Sequence, residues 1–273
     1  MTAGPRSPMT HVAKHAYNQF AALSGRVKAI VAAFVAAGLA VLGLYSAGGF
    51  NSPALAAPHF PSSLSAPAGY QVAYTHDFTR QSMGDWVTQP GAGATVSVNS
   101  RYGLGVEVTG KNQWAEVISS DAVIGPNSFV QALVYIPAGP KGSTANWPAF
   151  WSTGSLWPND GEIDMLEGQQ GRSCAQTHYG TLQPNGNAGG DSASNCGALG
   201  STGWLTISMW RTNQQVEVWY NHAFIGKVPL PTNANEELIF QNQDGPNNSC
   251  DACNGPLVSP STAWLSRVAV WDK

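Results

Sequence analysis

From residue 70 onward the chain alternates apolar and polar positions in short runs separated by Gly, Asn and Pro, which is the period of strands, not of helices. The runs are 95–98, 104–109, 114–119, 129–136, 204–210, 215–220, 224–228, 238–241 and 264–271. Within 215–220, Val216, Val218 and Tyr220 share one face while Glu217 and Trp219 share the other. One side of such a strand enters a core and the other meets solvent or ligand. In the last run Val268 and Val270 alternate with Ala269 and Trp271, as in a closing strand buried on at least one face. No segment beyond residue 56 carries a long apolar stripe of helical period, and no internal repeat is present. The pattern predicts an all-β fold of many short strands, a sandwich or a barrel.

The first 56 residues read differently. Arg6, Lys14, Arg26 and Lys28 precede an uncharged apolar run, 29–45, and no charged residue follows until Asp77. With Ala54, Leu55 and Ala56 before Ala57, this describes a secretory signal peptide with a long basic n-region, cleaved after Ala56. The rival is a membrane anchor, since the run of 17 residues approaches the roughly 20 that span a bilayer. Its Ala- and Gly-rich make-up and the cleavage-type site downstream favour export. An Ala-, Pro- and Ser-rich extended leader, 57–69, follows, and a single domain is expected over 70–273.

Removing the signal changes the charge. The remainder holds nine Lys and Arg against sixteen Asp and Glu, a formal charge of −7, with no basic stripe for phosphates. That excludes nucleic acid as a partner, and a monomer with no membrane contact is expected of the mature form. All ten Trp lie in this part, more than a core of its size requires, and indole faces hold flat ligands such as sugar rings. The four Cys also lie here, an even count that in an exported chain reads as two disulfides. Three pairings are possible. Cys174 with Cys196 and Cys250 with Cys253 is preferred, because each bridge closes a local Gly- and Asn-rich loop. The C-x-x-C at 250–253 lacks the second pair, or the His pair, of a zinc site.

The chemistry concentrates at residues 146–167, NWPAFWSTGSLWPNDGEIDMLE. Glu162, Asp164 and Glu167 fall within six residues, interleaved with Ile163, Met165 and Leu166 and flanked by Gly161 and Gly168. Alone, this would read as an acidic surface strand. Trp147, Phe150, Trp151 and Trp157 just before it place an aromatic-lined strand beside a carboxylate-lined one. On a regular strand Glu162 and Asp164 share a face but Glu167 points to the other, where Ile163 and Met165 should be buried. One extra residue at Met165 or Leu166, a β-bulge, restores Glu167 to the acidic face. The outer acids then stand at effective positions i and i+4, with backbones about 13 Å apart. Side chains leaning together from there suit the close carboxyl pair of a retaining glycosidase better than the wider inverting pair.

These residues carry a resemblance. GEIDMLE resembles the signature of glycoside hydrolase family 16 in its bulged, laminarinase-like form, and WPAFW and WPNDG resemble the approach to it. THYG at 177–180 extends the likeness, as do, more weakly, VEVWYNHAFIGKV and LSRVAVW. Departures occur at Gln131 and Leu133, where many members carry a Glu-Ala-Arg-like segment, and in LIFQNQDG, where relatives have an Asn-rich strand. The resemblance implies a concanavalin-like β-jelly-roll sandwich with a curved groove and retaining, endo-acting hydrolysis of β-linked polysaccharide. It assigns Glu162 as nucleophile, Asp164 as its helper and Glu167 as general acid/base.

Those implied roles also make chemical sense. The nucleophile must be ionised and the acid protonated, so their environments should push their pKa values apart, with Asp164 between them hydrogen-bonding Glu162. Trp147, Trp151, Trp157, His178, Gln241 and Asn242 are candidate sugar contacts, Trp151 and Trp157 being the first choices for stacking. The pairs Trp210 with Trp219 and Trp264 with Trp271 are expected in the core. No His, Cys and Asp cluster has the spacing of a catalytic metal site, so no cofactor is expected. The reading is a secreted endo-β-glycanase acting on β-1,3- or mixed β-1,3/1,4-glucan. A non-catalytic sugar-binding sandwich, or a transglycosylase using the same acids, are the alternatives.

Overall fold

Sixteen strands and a single 3-10 turn, 140–142, make up the regular structure in the computed structural model, which describes residues 67–184, 186–191, 195–197, 201–244 and 255–273. The predicted signal segment and most of the predicted leader lie outside the described residues. All described residues fall in the unit Ala57–Lys273, and no helix among them is long and apolar enough to cross a membrane.

The strands stack as two antiparallel sheets in a jelly-roll sandwich. The first sheet contains β1 (Gln71–Asp77), β3 (Thr95–Asn99), β4 (Gly103–Val108), β6 (Phe129–Ile136), β12 (Gly203–Arg211), β13 (Gln215–Tyr220), β14 (Ala223–Pro229) and β16 (Ser261–Asp272). The second contains β2 (Trp86–Ala92), β5 (Gln113–Ile124), β7 (Ala149–Thr153), β8 (Glu162–Gln169), β9 (Arg172–Leu182), β10 (Ala188–Asp191), β11 (Asn195–Cys196) and β15 (Glu236–Asp244). Its order runs β10-β9-β8-β7-β15-β5-β2, so the acidic strand is flanked by β7 and β9.

Alternation decides which side chains enter the space between the sheets. Val216, Val218 and Tyr220 are buried there, as their spacing predicts, together with Val106, Val134, Phe150, Leu166 and Phe240. One expectation is met and one changes. The last strand is buried on both faces: β16 pairs with β4, β6 and β1, and Ala269 and Trp271 are buried about as fully as Val268 and Val270. Of the four tryptophans expected in the core, Trp210, Trp219 and Trp264 are half-buried. They alternate with core residues and so lie on the outer face of the first sheet, against Tyr70, Phe224 and Tyr102 respectively.

Two features set the position of β8. Gln170 and Gly171 join it to β9 with φ of 52° and 77°, the paired positive φ of the two-residue turns whose twist suits a tight hairpin. At its other end a buried ion pair crosses the sandwich. Arg211 of β12 donates to the carbonyls of Ile124, Thr232 and Ala234 and sits 3.3 Å from Glu236 of β15, whose other oxygen accepts from Ser152 of β7 at 2.7 Å.

Candidate active site

The bulge is present and falls at Met165. On the β7 side Glu162 pairs with Thr153, Ile163 with Ser152 and Asp164 with Trp151, after which Leu166 pairs with Phe150 and Glu167 with Ala149. Met165 has no partner in that ladder. On the β9 side the register also shifts between Asp164, opposite Gln176, and Glu167, opposite Cys174. Ile163, Met165 and Leu166 are completely buried in the core, which leaves the three acids on the open face of the second sheet. The bulge frees the Met165 carbonyl for a partner outside the strand, and the Tyr220 hydroxyl donates to it at 3.0 Å from the opposite sheet.

Each acid has its own contacts. Glu167 accepts from the Trp147 indole N–H at 2.8 Å on one oxygen and from the Gln176 amide on the other. Glu162 has one oxygen 3.7 Å from His178 Nε2, and Asp164 Oδ2 is 3.5 Å from the same nitrogen. That nitrogen also lies 3.1 Å from Gln176 Nε2, so Gln176 and His178 link the three carboxylates along β9. Among the described residues Asp164 has no hydrogen bond to Glu162, and it faces His178 where sequence reasoning placed it against the nucleophile.

Burial is the main electrostatic fact. It raises Glu162 to about 7, with neighbouring Glu167 adding to the rise and His178 opposing it. Asp164 is pushed well above the usual carboxylate range by burial first and then by Glu162 and Glu167. Glu167 is raised by burial, against the lowering effect of Trp147, His178 and Gln176. The expected separation is thus not a simple high and low pair. Three carboxyls, two buried and Glu162 half-buried, all holding protons more tightly than in water, share one site.

The other predicted contacts divide. Trp151 and Gln241 sit on the open face, Trp151 opposite Asp164 and Gln241 opposite Ala149. The Trp157 indole N–H lies near enough to Glu162 to favour its ionised form, while falling outside hydrogen-bond geometry. Trp147 is a correction: it is 8% exposed and serves Glu167 through its N–H instead of offering a ring to a sugar. Asn242 is a second, because alternation turns it inward, where it is fully buried and donates to the Val106 carbonyl at 3.1 Å. Gln131 lies in β6 of the other sheet and donates to Ser208, so the departure noted there is remote from the groove.

Cys174 and Cys196 form a disulfide between β9 and β11, as preferred from the sequence. Cys250 and Cys253 lie outside the described residues. Sequence reasoning missed Gln176 and Glu116. The first is two residues from His178 and therefore on its face; the second alternates with core residues Ala115 and Val117. Among the described residues, the one group of His, Asp and Glu atoms close enough to share an ion is Glu162, Asp164 and His178, within 4.8 Å. Ion pairing with His178 already accounts for that convergence.

The segment that carries the acids is similar to known proteins. Residues 120–198 match the model described as XgeA-like, catalytic GH16 domain, where GH16 is glycoside hydrolase family 16. A probable endo-1,3(4)-β-glucanase of Aspergillus niger is 37% identical over 79 residues, 27% of this chain and 10% of the relative. One from Aspergillus fumigatus is 29% identical over 147 residues, 49% of this chain and 21% of the relative. The chain thus spans about a tenth to a fifth of the length of these curated relatives. The solved endo-β-1,3-glucanase of Pyrococcus furiosus superposes with a TM-score of 0.57 at 15% identity, covering 74% of this chain and 94% of that one.

Proposed function

We propose that this chain, whose residues 120–198 match the catalytic-domain model of glycoside hydrolase family 16, is a retaining endo-β-glucanase that cleaves β-1,3- or mixed β-1,3/1,4-glucan. The observation that carries the reading is the bulge at Met165, which puts Glu162, Asp164 and Glu167 on one open face with Trp147 and Gln176 fixing Glu167. In the first step the ionised Glu162 attacks the anomeric carbon while Glu167 gives its proton to the departing glycosidic oxygen. The product is a glycosyl ester on Glu162. Water then attacks that ester, Glu167 takes the water's proton, and Glu162 leaves as a carboxylate. Asp164 tunes both ends: its charge state sets the field at Glu162 and Glu167, and its contact with His178 holds the ring beside the nucleophile. The cationic form of His178 favours ionised Glu162, as the nucleophile requires. Trp151 and Trp157 supply apolar surface next to the acids for a sugar ring.

The basic and apolar opening segment and the small residues before Ala57 support export, with the mature chain acting outside the cell as a monomer. The test is reducing-end release from laminarin, lichenan, curdlan and agarose by the full chain and by its Glu162→Gln and Glu167→Gln variants, assayed in medium and cells separately. The expected result is release by the wild type in the medium, with release by each variant lower by about a thousandfold, the order expected for loss of a nucleophile or acid. Binding to a polymer without release would sink the catalytic assignment in favour of a sugar-binding sandwich.

A further inference from the structure

We propose that Glu116 is a sugar-binding residue which, with Gln89 and Gln241, forms a hydroxyl-recognising subsite for neutral glucan, three strands from Glu167 on the same groove floor. Glu116 lies within electrostatic reach of Glu162. The proposal rests on the glucanase reading and adds a specificity determinant to it. Its basis is register. Glu167 pairs with Ala149, Ala149 with Gln241, Gln241 with Glu116 and Glu116 with Gln89, so these five side chains stand in one cross-strand row on one face. Glu116 lies three strand spacings from Glu167, about 14 Å, the reach of a short oligosaccharide and not of a single ring. The small Ala149 leaves the floor between them low.

The second observation is what this row lacks. Neither the Glu116 side chain nor that of either glutamine has a hydrogen bond or ion pair with a described residue, though Glu116 is half-buried and Gln241 is 7% exposed. Burial pushes the Glu116 carboxyl up to about 7 with no neighbour to relieve it. A partly desolvated carboxylate that no protein donor serves costs stability, and an apolar residue would serve the fold better. A carboxylate accepts from two hydroxyls on neighbouring carbons of one sugar ring, and the flanking amides offer both donors and acceptors. Trp114, two residues earlier on the same face, adds an aromatic surface to the polar row. A sulfated or uronic sugar in this place would face a carboxylate, so the site selects uncharged chains.

The experiment compares the wild-type full chain with Glu116→Ala and Glu116→Gln on oligosaccharides of increasing length, of the linkage that the wild type cleaves. The expected result is a ratio of variant to wild-type KM that grows with length, reaching about tenfold on the polymer for Glu116→Ala, as for loss of one hydrogen bond to a charged group. Glu116→Gln, which keeps the shape, should fall between. A ratio that is flat with length, or no change at all in an active enzyme, overturns the subsite alone. A wild type that cleaves nothing removes the glucanase reading, and the subsite with it.

Discussion

Asp164 is 4% exposed, stands between two other carboxylates, and has its closest opposite charge in a histidine ring 3.5 Å away. Folding therefore makes it hold its proton more tightly than the unfolded chain does, as it does for Glu162 and Glu167. The sign of the consequence is fixed. Below the unfolded value of 3.8 both states are protonated and nothing is lost, whereas stability falls as the pH rises from there toward the folded value. Asp164→Asn should accordingly raise the melting temperature at pH 7 by at least roughly 3 °C, shrinking toward zero near pH 3, in calorimetric scans at both. An equal gain at both values would show that charge is not the cause. At this scale the sequence was informative where chemistry is local. The three acids could be named from their spacing, but Trp147 and Asn242 could not be placed, because an N–H aimed at Glu167 and an amide turned to the Val106 carbonyl depend on neighbours remote in the chain.

The element that makes the site is β8, and its bulge was deducible from parity alone: strands alternate in twos, and Glu162 and Glu167 are an odd number of residues apart. What parity does not reveal is the support. Tyr220, on a strand of the opposite sheet, donates to the carbonyl of the bulged Met165, and complete burial keeps its phenol protonated and so able to donate. Tyr220→Phe should cost roughly 1–3 kcal/mol of stability, from a buried carbonyl left without a partner. It should also lower kcat more than it changes KM, since Glu167 follows the bulge in the chain. Denaturant titration and steady-state kinetics on one preparation check both, and an unchanged kcat would mean that the bulge holds its shape unaided. Strands 129–136 and 215–220 matched their sequence pattern to the residue, whereas β1, β2, β9, β10 and β11 were not among the runs read, and in β2, β10 and β11 Pro, Gly and Asn interrupt the alternation.

For the whole molecule, composition pointed the right way with one misallocation. The wealth of tryptophan was assigned to groove and core, yet Trp210, Trp219 and Trp264 line the outer face of the sheet that does not carry the acids. A sandwich has four faces and a sequence pattern distinguishes only two, inward and outward, on each strand. Which sheet a strand joins is settled by pairings such as β16 with β4, β6 and β1, whose partners lie far apart in the chain. The disulfide is a local tie between neighbouring strands, and its place carries a consequence for the timing of activity. Cys174 stands directly opposite Glu167, and the bond it makes fastens β11, a strand of two residues with little ladder of its own. Gentle reduction should leave the circular dichroism of the sheets intact while lowering turnover, and reoxidation should restore it; full activity in the reduced protein would refute this. If the chain is exported as proposed, it would carry every acid it needs yet stay dormant in a reducing compartment, and oxidation on the way out would awaken it.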